Sequence, residues 1–235
     1  KTLHTTKNET EKIKLRGHWD SEEEARTVGD DIESLYAKGE RYADMAILVR
    51  ASFQMRSFED RFIMLGLPYR VVGGPRFYER AEIRDAVSYF AIVLSPDNDL
   101  KFERIINTPK RGIGDASIKK MYDVARRQGT SLYVAASSML ATDELPNKAR
   151  TSLRLLLESF TRWRHQKDAL PQTELAEIIL DESGYTEMWQ NDKSPEAQGK
   201  LENLKELVQS ISTGEYTTLE GFMEHIGLVM DRDQG

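Results

Sequence analysis

The amino-acid sequence predicts two joined parts: an α/β part built on a partial parallel sheet, then an all-α part. Strand-like apolar runs occur only before residue 73. Segments with helical spacing separate those runs, the order expected of parallel strands with right-handed crossovers. From Ala81 onward the period is helical, interrupted at Pro146, Pro171, Gly184, Pro195 and Gly214. A length of 235 residues allows one or two domains. The change of character places a boundary between residues 95 and 110, with expected units at 1–98 and 99–235.

Taken in order, Lys12 to Trp19 (KIKLRGHW) sets apolar side chains at every second position, the period of a strand. Ser21 to Tyr36 repeats Ala25, Val28, Ile32 and Leu35 at helical spacing. Ser21 and Glu24 are spaced as a capping box, and Gly39 stops the helix. Met45 to Arg50 (MAILVR) is a nearly continuous apolar run, which suits a strand buried on both faces of a parallel sheet. Phe53 to Leu65 is a second helix, closed by Gly66. Pro68 to Val72 (PYRVV) is a third strand that ends in a Gly73-Gly74-Pro75 turn. Further helices are expected over Ala81 to Leu94, Leu100 to Asn107 and Asp115 to Gln128. Thr108 to Gly114 (TPKRGIG) reads as a tight hairpin between the last two.

Composition narrows the function classes. With 39% hydrophobic and 31% charged residues the chain is a globular type, not a disordered one. Its net charge is −6, whereas a protein that coats nucleic acid with its whole surface is basic. Contact with DNA therefore has to come from a local patch. The absence of cysteine excludes disulfides, thiol nucleophiles and Cys-ligated metals, and fits a reducing, cytoplasmic compartment. No apolar run approaches the roughly 18 to 20 residues of a membrane span. The four histidines, His4, His18, His165 and His225, share no ligand spacing, so no metal site is expected.

Catalytic signatures are sparse. There is no G-x-x-x-x-G-K-[ST] loop, so the cradle and lysine that hold nucleotide phosphates are missing from this sequence. There is no G-x-S-x-G elbow either. Acid pairs such as Asp30-Asp31 and the run Glu22 to Glu24 sit where they complement a helix dipole. Three features stand out. Arg50 ends the MAILVR run, at the sheet edge where ligands of open α/β folds collect, and a guanidinium there can grip a phosphate. The alternative is an ordinary solvated strand end. In the second feature, the hairpin from Thr108 to Gly114, Lys110 and Arg111 stand beside Gly112, Ile113 and Gly114, ahead of a helix N-terminus. Glycines let a phosphate approach, and the first amides of the helix favour an anion. From Lys101 to Arg127 eight Lys/Arg face three Asp/Glu, a local +5. This is the logic of a helix-hairpin-helix element that holds a DNA backbone without reading its sequence. A plain helix-helix turn with a glycine cap is the competing account. The third feature is Gly73 to Asp85 (GGPRFYERAEIRD), where Phe77 and Tyr78 could stack on bases and Arg76, Arg80 and Arg84 could touch phosphates. Interleaved Glu79, Glu82 and Asp85 favour surface ion pairs instead, and aromatics at a helix start are often core.

Together these stretches resemble a known family. AILVRASFQMRSFEDRF is similar to the fourth motif of UvrD/Rep/PcrA-type superfamily 1 DNA helicases. LGLPYRVVGGPRFYERAEIRDAVSYF resembles the block that follows, and INTPKRGIG the Gly-Ile-Gly hairpin, in family order over residues 45 to 114. LENLKELV at 201–208 also looks familiar, and Ser95 stands where relatives often carry Asn. The resemblance implies an ATP-dependent motor that moves 3′ to 5′ on single-stranded DNA and separates duplexes in repair and replication. Residues 1–98 would belong to its second RecA-like lobe, 2A, and 99–235 to the helical insertion, 2B. The phosphate loop and the magnesium-binding acids would precede Lys1, and the rest of the lobe would follow Gly235. Arg50 would then reach the ATP γ-phosphate in the parent protein. Thr108, Lys110, Arg111, Gly112, Ile113 and Gly114 would touch duplex DNA, with Tyr78 and Arg80 near the single-strand path. ATP and Mg²⁺ are implied for the parent, with neither expected on this chain alone, which should be inactive as an ATPase. The implied partners are DNA at a duplex/single-strand junction and repair proteins, not a membrane. Two alternatives remain: a protein-interaction or regulatory module of a repair helicase, and part of an AddA- or RecB-like helicase-nuclease.

Overall fold

A computed structural model of the chain describes residues 13–72, 76–213 and 218–231. Helix α1 spans Ser21–Ala37 and is capped by Asp20, not by Ser21. The Asp20 carboxylate accepts the Glu23 amide at 2.7 Å, and the Glu23 carboxylate accepts the Trp19 amide at 2.8 Å. A carboxylate in that place meets both an orphan N–H and the positive end of the helix dipole, so it replaces the expected Ser21 and Glu24 pairing. A 3-10 turn over Ser52–Gln54 leads into α2, Met55–Leu65. Gly66 ends α2 at a φ of 67°, where a side chain would be strained.

The helical part begins at α3, Ala81–Leu94, and α4, Asp99–Ile106. It continues through α5, Asp115–Gln128, and α6, Leu132–Met139. Next come α7, Asn147–Gln166, α8, Gln172–Glu182, and α9, Tyr185–Asn191. The last two helices are α10, Ala197–Thr213, and α11, Leu219–Asp231. Pro146 and Pro171 stand directly ahead of α7 and α8, where a missing N–H costs nothing.

The expected parallel sheet is absent. Among the described residues no strand is present, and the architecture is mostly all-α. The segments read as strands at residues 13–19, 45–50 and 68–72 are irregular and bonded to no neighbouring strand. Their backbone stays extended in places, with Met45 at φ −103°, ψ 140°, and Ala51 just past the second segment is extended too, at φ −135°, ψ 149°. Many of their apolar side chains are uncovered: Ile13, Leu15, Trp19 and Val72 are largely exposed and Leu48 is 91% exposed, whereas Val49 and Tyr69 pack on the small cluster beside α2. A strand is a paired object, and its alternation or apolar run carries no information about what pairs with it. Lys12, the Gly73-Gly74-Pro75 turn and the Gly214 break lie outside the described residues.

Two apolar clusters organise the chain. The small one holds Ala25 of α1 with Phe58, Phe62 and Leu67 in and after α2. The large one runs from Phe77 to Val229 and takes in α3, so that helix packs with the later helices. Its largest fully buried side chains include Trp163, Tyr89, Tyr185 and Phe90. Polar groups stitch the two together. The Phe77 amide donates to both Glu59 carboxylate oxygens, at 3.3 and 3.2 Å. Burial pushes the Glu59 carboxyl up to about 7, against the pull of that amide and of Arg80. Glu59 therefore holds its proton more tightly in the folded chain than in the unfolded one. Its contribution to stability is full below its ordinary pKa of 4.5 and is lost as pH rises towards 7. We predict that Glu59→Gln gains stability relative to the parent chain as pH rises from 4.5 to 7, measured by urea unfolding at a series of pH values. A relative stability that is flat or falls over that window contradicts the assignment.

Candidate functional site

The hairpin between α4 and α5 is built from inside. Asn107, just past the end of α4, turns its side-chain oxygen to the amides of Arg111 at 2.7 Å and Ile113 at 3.2 Å. This is the local turn chemistry that asparagine favours. Gly112 sits at a φ of 73°, which glycine tolerates without cost. Ile113 is fully buried and anchors the tip in the large core. Gly114, at φ −86°, is extended and caps α5. Thr108 offers its carbonyl to the Tyr89 hydroxyl at 2.5 Å.

The two cations of the hairpin have different surroundings. The Arg111 guanidinium turns inward. It donates to the carbonyls of Ile105 at 3.0 Å, Ile106 at 3.4 Å, Pro109 at 3.2 Å and Ser183 at 2.7 Å. It also donates to the Tyr89 hydroxyl at 2.7 Å. A fixed cation here satisfies the orphan carbonyls at the end of α4, ties the hairpin to the end of α8, and suits the negative end of the α4 dipole. Lys110 is exposed and makes no hydrogen bond or ion pair among the described residues. The amides of Gly112, Gly114, Asp115 and Ala116 likewise meet no acceptor among the described residues. An exposed cation beside N–H donors that meet no acceptor among the described residues suits a phosphate oxygen and carries no means of reading a base.

Arg50 lies elsewhere, in the loop that leads into α2. The Gln54 side-chain oxygen accepts the amides of Arg50 and Ala51, both at 3.0 Å, which fixes the backbone at that point. The Arg50 side chain is exposed and has no partner among the described residues. Tyr78 and Arg80 are not on the surface. Tyr78 is buried with its ring edge-on to Phe77, centroids 5.1 Å apart. Arg80 is buried too, donating to the Asn203 side-chain oxygen at 3.0 Å and standing 5.2 Å from the Phe77 ring centre. Burial lowers its pKa, against the opposing pull of Glu59 and Glu82. Thus Thr108 to Gly114 form one hairpin, whereas Arg50, Tyr78 and Arg80 belong to other segments. No group of three or more His, Asp or Glu among the described residues is placed to hold a metal ion.

Three residues that shape these places lie within the family-like stretches but are not singled out there as site residues. Asn107 and Tyr89 build the hairpin, and Asn203 meets Arg80. An asparagine directly before Thr-Pro at a helix end is a turn signal that could have been read in advance. Tyr89 and Asn203 sit on apolar helix faces and act over long sequence separations, so local spacing gives no warning of them.

A family model described as the UvrD-like helicase C-terminal domain matches residues 1–234. The chain belongs to this family. It is 40% identical over 235 residues to the probable DNA helicase II homolog of Rickettsia felis, covering 99% of this chain and 36% of that protein. It is 37% identical over 218 residues to the ATP-dependent DNA helicase PcrA of Bacillus subtilis, covering 90% of this chain and 29% of that protein. It is 31% identical over 235 residues to DNA helicase II of Escherichia coli K12, covering 97% of this chain and 33% of that protein. The chain therefore spans about a third of the length of these relatives.

The inward and outward cations predict opposite responses to truncation. Arg111→Ala is expected to destabilise the chain by roughly 1.5 to 3 kcal/mol, since it strips charge-assisted bonds from partly buried carbonyls. Lys110→Ala should stay within about 0.5 kcal/mol of the parent. Urea unfolding followed by tryptophan fluorescence separates the two. Equal losses, or a larger loss at Lys110, would contradict the division of roles.

Proposed function

We propose that the chain is part of an ATP-dependent 3′-to-5′ DNA helicase, that its hairpin holds a DNA backbone, and that Arg50 faces the ATP phosphates. Family membership supports the class, through relatives named as DNA helicase II and PcrA. The observation that carries the DNA contact is the hairpin itself, with Lys110 exposed beside amides that lack acceptors among the described residues and with its shape fixed by Arg111 and Asn107. In this reading Lys110 and the backbone of Gly112 to Gly114 meet phosphate oxygens. Ile113 and Arg111 hold the loop rigid from below, and Thr108 fixes its near side. Tyr78 and Arg80 are buried and support the fold elsewhere.

Arg50 fits a phosphate for a similar reason. Its backbone is pinned by Gln54 while its guanidinium is exposed and has no partner among the described residues. ATP with Mg²⁺ supplies the phosphoryl group whose transfer drives such motors. Arg50 would place a permanent positive charge beside the γ-phosphate and stabilise the negative charge that builds there. Residues 1–98 are assigned to the motor part and 99–235 to the inserted helical part. This division is one of role, since α3 packs with the later helices.

DNA binding tests the hairpin directly. Fluorescence anisotropy on a duplex with a 3′ tail, across a salt series, is expected to show weaker binding by Lys110→Glu. The slope of log K against log salt should become shallower by about 1, the value of one lost phosphate contact. Equal affinity and equal slope for the parent and variant would remove the hairpin from the DNA.

A further inference from the structure

We infer that Asn203 of α10 is a positioning residue for Arg50, carrying the placement of the helical body to the loop that presents that arginine. The inference rests on the phosphate-facing role proposed for Arg50. Asn203 is buried and all of its polar atoms are engaged. Its side-chain oxygen accepts from the Ser52 hydroxyl at 3.3 Å and from Arg80 at 3.0 Å. Its amide nitrogen donates to Glu82 at 2.6 Å. A carboxamide suits this place because it accepts from a donor-only guanidinium on one side and donates to a carboxylate on the other. A carboxylate could not donate to Glu82, and an apolar residue would strand both buried charges.

The contact is not isolated. One turn further along α10, Glu206 accepts from the Arg56 guanidinium at 2.5 Å. Residues 203 and 206 share a helix face, and they grip positions 52 and 56, themselves about one turn apart. The segment that carries Arg50 is therefore held at both ends. Gln54 ties back to the Arg50 and Ala51 amides, and Ser52 ties forward to Asn203. A shift of α10 has to be followed by the Ser52 turn or has to break this link. In the same amide group Asn203 joins that turn to Arg80 and Glu82, which begin α3 in the following motif block. Neither motif block contains the residue that connects them.

The test uses the full-length protein that carries this chain. DNA-stimulated ATP hydrolysis, DNA affinity and melting temperature are measured for Asn203→Ala, Arg50→Ala and the double variant. Arg50→Ala is expected to lower kcat about 10³-fold. Asn203→Ala should lower kcat about tenfold through misplacement of Arg50, with DNA affinity within about twofold. The double variant should be no slower than Arg50→Ala, because the two act as one unit. A folded Asn203→Ala protein with unchanged kcat overturns the inference. So does a double variant in which the two losses multiply, since that describes independent structural damage. An unchanged kcat in Arg50→Ala instead overturns the role of Arg50 and the inference with it, and the single variants tell the cases apart. If Asn203→Ala does not stay folded, Ser52→Ala removes the same link through one hydroxyl. It should lower kcat about threefold without adding to Arg50→Ala, and an unchanged kcat there overturns the inference.

Discussion

Arg56 is 4% exposed and is met by three carboxylates from three helices: Glu22 of α1, Asp60 of α2 and Glu206 of α10. Burial opposes its charge, yet Asp60 and Glu206 hold its pKa above the ordinary arginine value. Buried ion networks of this kind add little net stability compared with an apolar core. Their effect is geometric. A guanidinium presents its donors in a rigid planar fork, so three carboxylates bound to it are fixed in direction as well as distance. Removing Arg56 would strip this cation from the largely buried carboxylates of Asp60 and Glu206, which costs roughly 3 to 5 kcal/mol. The small cluster of Ala25, Phe58, Phe62 and Leu67 is too slight to set its own position against the large core. The Arg56 seam, with Asn203 and Glu59 beside it, sets that position instead.

The same economy recurs at the hairpin. Arg111 has the charge expected of a DNA-binding residue, but the described hydrogen bonds of its guanidinium all go to carbonyls and a hydroxyl of the protein itself. Lys110, its neighbour in sequence, has the exposed charge. One cation builds the surface and the other is presented by it. Planar, multidentate arginine suits the first task and flexible lysine the second. A loop made rigid this way loses little entropy on meeting a phosphate, which favours binding without new contacts.

Much of this was legible in the sequence, and the failures share one cause. Helices α3 and α5 fall where periodicity and stop signals put them, because those signals are local. Asp20 took the cap expected of Ser21 because the stronger acceptor stood one residue earlier. The hairpin was visible from its glycines, but the inward turn of Arg111 was not, since its acceptors include the Ser183 carbonyl, 72 residues away. Arg80 looked like a surface group in a charged stretch and is buried against Asn203 of α10, a contact that no local pattern reveals. The strands failed for the same reason in reverse. Their residues specify extended backbone, and what would pair with it is not written in the segments themselves.

If the Arg56 seam makes α1, α2 and α10 a single mechanical unit, they must open together. Native-state amide hydrogen exchange across residues 55–65 and 203–211 measures this directly, because segments of one cooperative unit share an opening free energy. The account predicts equal opening free energies for α2 and the middle of α10, and a parallel loss in both when Glu206 is changed to Gln. An α2 that opens far more easily than α10, and is indifferent to that change, would contradict it.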